Sequence, residues 1–132
     1  MEKMQDVVSQ FSDNCIIIKT KQKTIDERGG SVYEAARQYW PNDIEKADLA
    51  DYVLVIRQDG HGKIIAVYKP NKWHDVTKEY VEYQKKHGRP YSSKKRIGFI
   101  GVEADIAARK KYEGKYVPDN FSQSQACFRY TY

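Results

Sequence analysis

The chain alternates short apolar runs with polar, glycine-punctuated connections. Cys15-Ile16-Ile17-Ile18-Lys19 is apolar at consecutive positions and rich in β-branched residues, so it predicts a strand buried on both faces. From Ser31 the period changes. Val32, Ala35, Ala36, Tyr39 and Trp40 fall on one helical face, Ser31 and Glu34 have the spacing of a capping box, and Pro41 closes the segment. Asn42 and Glu45 repeat the cap spacing before a second short helix over 43–50. Two β-rich runs, 52–57 and 63–69, flank Gln58-Asp59-Gly60-His61-Gly62 and predict a hairpin whose second strand ends at Pro70. A helix from Asp75 or Thr77 to His87, with Gly88 as its stop, a strand over 96–102 and a helix over 104–113 follow. The two glycines of the 96–102 strand imply a bend or a close backbone approach. The last strand is expected at 126–132, and residues 20–30 and 119–125 read as polar links.

Residues 1–14 form a polar lead-in with Val7, Val8 and Phe11 as apolar anchors, and 15–132 is long enough for one domain. Five strands, two of them in a hairpin and apolar on both faces, predict an α+β domain in which a small barrel is flanked by helices. The longest apolar run, Tyr52 to Ile56, is far too short to cross a bilayer. The N-terminus shows no secretory h-region, so a cytoplasmic protein is expected.

Charge changes the picture because it is regional. Residues 1–60 hold 8 Lys/Arg and 11 Asp/Glu, whereas 85–115 hold 10 and 3. Clusters at Lys85, Lys86 and Arg89, at Lys94, Lys95 and Arg96, and at Arg109-Lys110-Lys111 form the footprint of a phosphate-backbone binder, or else a solvated face. The first two clusters are the candidate phosphate contacts. Cys15 and Cys127 lie far apart in the sequence and have no CxxC partner or His at metal spacing, so no structural zinc site is expected. The two sulfurs approach each other only if the first and last strands are neighbours.

The element order resembles the PUA-like superfamily of small barrels, which includes the PUA, ASCH and EVE domains. ASCH domains carry Gly-x-Lys-x-x-Glu-x-Arg after the first strand. Here Lys21-Gln22-Lys23-Thr24-Ile25-Asp26-Glu27-Arg28 occupies that place, with Lys23 and Arg28 matching, Asp26 for Glu and Lys21 for Gly. The resemblance implies RNA binding, or recognition of a modified or flipped base in a cleft between barrel and helices, without a metal or organic cofactor.

Such a cleft needs a flat aromatic to stack on and cations for phosphate. Trp73, in an expected connection after a strand, is the candidate stacking residue, with anchoring of that loop as the alternative. Lys69, Arg37, Tyr33, Lys23 and Arg28 complete the candidate ligand set, and Trp40 reads as core. The sequence therefore predicts a non-enzymatic module binding RNA, or single-stranded or modified DNA. Two other readings stay open. One is a small metal-dependent nuclease built around Glu113-Gly114-Lys115, or a metal-free ribonuclease using His74, Lys69 and a tyrosine. The other is a protein-interaction domain whose basic face meets an acidic partner.

Overall fold

The computed structural model describes residues 6–92 and 94–132; the first five residues of the lead-in and Ser93 of the basic loop lie outside them. Five strands form one mixed sheet: β1 (Cys15–Thr20), β2 (Tyr52–Arg57), β3 (Ile64–Asp75), β4 (Ile97–Glu103) and β5 (Phe128–Tyr130). Their spatial order is β4-β3-β2-β1-β5. β1 and β2 run parallel and every other neighbouring pair is antiparallel. The helices are α1 (Gln22–Glu27), α2 (Val32–Ala36), α3 (Ile44–Ala47), α4 (Thr77–Lys86), α5 (Ile106–Tyr112) and α6 (Asp119–Ser122). No helix among the described residues is long and apolar enough to cross a membrane.

The unbroken apolar runs of β1 and β2 are explained by layers on both sides of the sheet. Cys15, Ile17, Leu54 and Ile56 face Ala108 and Tyr112 of α5, with Val8 and Phe11 of the lead-in packed at that side. Ile16, Ile18, Val53 and Val55 face Ala36 of α2, Ala47 of α3 and the aromatic cluster of Trp73 and Phe99.

The sheet does not close into the expected barrel; β4 and β5 are its two edges. It is nevertheless strongly curled. Three strand spacings separate β3 from β5, about 14 Å in a flat sheet, yet the rings of Trp73 on β3 and Phe128 on β5 are 5.9 Å apart. The β4 edge is covered by the chain leaving α2. Phe99 N–H donates to the Arg37 carbonyl at 2.7 Å, Ile97 N–H to that of Trp40 at 2.8 Å, and Gly101 N–H to the Tyr33 hydroxyl at 3.0 Å. A Cβ on Gly98 would stand 2.7 Å from the Arg37 carbonyl oxygen, so this approach requires glycine.

That clasp corrects the helix expected over 31–40. Ser31 caps the N-terminus as read, its hydroxyl accepting from Glu34 N–H, but α2 ends at Ala36 because the backbone of Arg37 and Trp40 is committed to β4. Further corrections concern 20–30, Pro70 and 119–125, the last of which contains α6. The first segment contains α1, which has no side-chain cap to announce it. At Pro70 the strand continues to Asp75 through a bulge between Pro70 and Lys72, so Trp73 and His74 lie within β3 opposite Phe99 and Gly98. β1 and β5 are neighbours, but Cys127 lies beside Lys19, four residues along from Cys15. At about 3.3 Å per residue, no disulfide spans that offset.

Candidate functional site

The curl leaves a seam between β5 and the clasp, and the seam is open. Two clefts meet there, of about 220 and 350 Å³, sharing Tyr39, Trp40 and Cys127 as walls. The first is bordered by Lys19, Lys21 and Arg28 and the second by Arg96 and Phe128. Among the described residues, no Asp or Glu lines either one. Four cations and three aromatic rings thus converge on one groove. Its electrostatics favour an anion, because nothing acidic in its walls neutralises them.

Arg28 is held by its surroundings. Its guanidinium donates to the carbonyls of Glu34 and Gln38, at 2.8 and 2.7 Å, and more weakly to that of Ala35. It also lies 5.1 Å from the centroids of both Tyr39 and Tyr83, whose rings touch each other with centroids 5.3 Å apart. Arg96 makes a similar contact with Tyr80 at 4.2 Å. Lys19 donates through Nζ to the carbonyls of Ser122 and Ser124, pinning the segment that leads into the Cys127 wall. Tyr39 touches Arg28, Tyr80 and Tyr83, and burial pushes its phenol above the ordinary range.

α4 buries none of its residues; besides these rings, it is held by the Thr77 hydroxyl, which accepts from Arg96 N–H at 2.9 Å, and by one carboxylate. Glu27 accepts from the Tyr83 hydroxyl at 3.1 Å and forms an ion pair with Arg89. The Arg89 guanidinium, chiefly, and the Tyr83 hydroxyl hold the Glu27 carboxyl at about 2, below its usual 4.5. A depressed carboxylate stabilises the fold above its unfolded pKa, and that contribution disappears as pH falls through the folded value. Wild type should therefore lose stability between pH 4.5 and about 2 more steeply than Glu27→Gln. Urea midpoints across that window provide the check; parallel acid limbs would show that the latch contributes nothing.

The groove brings together only some of the residues expected from sequence. Arg28 and Arg96 line it, and Lys21 of the motif segment lines it as well. Lys23 is exposed on α1 outside the groove walls. Tyr33 packs on Tyr68 and Phe99 and serves the β4 edge, while Arg37 pairs with Glu34 at 2.9 Å. Trp73 is 4% exposed, packed between Phe99 and Phe128, so its faces are not available for stacking. Lys69 points to the other face of the sheet, opposite Val102. Of the phosphate candidates, Arg89 is paired with Glu27, Lys85 lies over Tyr91 at 5.6 Å, and Lys86, Lys94 and Lys95 are exposed.

Sequence reasoning missed Lys19, Lys21, Cys127 and Phe128 as walls; Trp40, read as core, packs against the core cluster and borders the groove as well. Trp40 is half-buried, its indole N–H donating to the Ala36 carbonyl at 2.7 Å while the ring borders the groove. No sequence signal sets Trp40 apart, because the apolar stripe of the 31–40 segment is complete up to Pro41. Among the described residues, no group of three His, Cys, Asp or Glu is placed to hold a metal. Compared with protein-family models, with curated proteins and with solved structures, the chain matches none.

Proposed function

We propose that this protein is a non-enzymatic module that binds single-stranded nucleic acid, RNA or unpaired DNA, in the cytoplasm. One nucleotide sits in the seam and its neighbours run along the basic tract. The observation that carries this reading is the lining of the two joined clefts, with Lys19, Lys21, Arg28 and Arg96 beside Tyr39, Trp40 and Phe128 and no carboxylate. Phosphate is met by cations, and a base has aromatic faces to stack on. A partly open groove suits an unpaired base, whereas a base held in a duplex must first leave its stack. Of the ASCH-like segment 21–28, the matching Arg28 lines the groove, whereas the matching Lys23 lies outside it and Lys21 stands where that motif has glycine.

Fluorescence anisotropy with short labelled oligonucleotides tests it. Single strands should bind saturably and more tightly than a duplex of the same sequence. Lys21→Glu, at an exposed position without a side-chain hydrogen bond to lose, should weaken them by about tenfold or more, equivalent to roughly 1.4 kcal/mol. Lys94→Ala with Lys95→Ala should lower affinity for all sequences alike and flatten the logarithmic salt slope by about 0.7 for each phosphate that is no longer neutralised. Absence of saturable binding at low salt, or variants indistinguishable from wild type, would overturn the reading.

A further inference from the structure

The opposite side of the molecule carries a second surface. Among the described residues, three of the six exposed large hydrophobics fall within 100–106: Ile100 at 52%, Val102 at 56% and Ile106 at 61% exposure. Ile100 and Val102 are alternate residues of β4 and so share one face of the sheet. Their register partners on β3 are Lys72 and Lys69, both exposed. Cross-strand partners point the same way, so the face presents two β-branched aliphatics set against two ammonium groups. α5 covers Ile64 and Val67 farther along β3 but leaves this end bare. The neighbouring β4 edge is closed at Ile97, Phe99 and Gly101 by the clasp, so strand addition there is blocked and the face itself is what remains open.

We infer that this face docks an acidic amphipathic segment of a partner protein, its aliphatic side chains covering Ile100 and Val102 and its carboxylates meeting Lys69 and Lys72. Charge complementarity selects this occupant. A second copy of the chain would set lysine against lysine, and like charges across an interface oppose association. Isoleucine and valine offer no flat ring on which a base could stack, so a nucleic-acid strand would leave the apolar centre unused. This surface is separate from the groove and its test does not depend on the groove's ligand.

The test uses the whole chain and three synthetic peptides: an amphipathic helix with Glu on one face and Leu on the other, a scramble of it, and its Lys counterpart. Titration monitored by amide chemical shifts should show saturable changes at Lys69, Lys72, Ile100 and Val102 with the acidic amphipath alone. Ile100→Ser with Val102→Ser, and separately Lys69→Glu with Lys72→Glu, should each weaken it by at least roughly tenfold, or 1.4 kcal/mol. Circular dichroism should show both doubles folded, and their oligonucleotide affinity should equal that of wild type, since the groove is untouched. Equal binding of the scramble or the Lys peptide, shifts confined to another surface, concentration-dependent dimerisation through these four residues, or the same shifts produced by an oligonucleotide would overturn the proposal.

Discussion

Ala36→Asp is expected to bring the protein close to unfolding. Ala36 is fully buried on the α2 side of the sheet, in the cluster that holds Ile16, Ile18, Val53 and Val55. A carboxylate placed there has no partner built for it. An uncompensated buried charge costs about 3–5 kcal/mol, against a total of roughly 5–15 for a domain. Urea unfolding checks it, with Ala36→Ser as a control that adds volume without charge. A midpoint for Ala36→Asp equal to wild type would mean that α2 does not pack on the sheet.

Arg28→Ala is expected to cost roughly 3 kcal/mol of stability and to abolish tight oligonucleotide binding. The half-buried carbonyls of Glu34 in α2 and Gln38 just beyond it lose the donor that turns the chain toward β4, and an acceptor left without a donor away from water costs about 1–3 kcal/mol. The stacking of Tyr39 and Tyr83 on the guanidinium is removed as well. Lysine should not restore it fully, since an ammonium can reach the carbonyls that Arg28 Nη1 serves but has no planar face to lay against the tyrosine rings. Full rescue of both stability and binding by Arg28→Lys would reduce the residue to a point charge.

The fold was readable where local pattern and tertiary need agree. The double-sided apolar runs of 15–19 and 52–57 announced buried strands, and the Gly60-His61-Gly62 connection announced the hairpin that joins β2 to β3. The barrel was over-read, because apolar residues on both faces of a strand say that both are covered, not by what. Here α5 covers one face and α2 with α3 the other. The 31–40 segment shows the limit of periodicity. Its stripe is helical throughout, but the edge of β4 needed backbone partners and took them from Arg37 and Trp40.

The site was half legible for a related reason. Strand alternation alone would put Lys69 and Trp73, four residues apart, on one face. The bulge between Pro70 and Lys72 turns Trp73 to the other face, where it fills the core, and leaves Lys69 opposite Val102. A one-residue bulge has no sequence signature beyond the proline itself. Arg28 and Arg96 were nominated by motif and charge. Cys127 and Phe128 become walls only because the last strand pairs with the first, across more than a hundred residues of sequence.

Cys127 provides the most direct measurement of whether nucleic acid occupies the groove. It is half-buried and borders both clefts, whereas Cys15 is fully buried with its thiol pushed up to about 12 by burial. Alkylation of the native protein should therefore report Cys127 alone, and its rate can be followed by intact mass as a single-stranded oligonucleotide is added. A strand seated in the groove makes the rate fall along the binding isotherm and recover when salt releases the oligonucleotide. An unchanged rate with the oligonucleotide bound to saturation would place the nucleic acid elsewhere on the molecule and contradict the assignment of the groove.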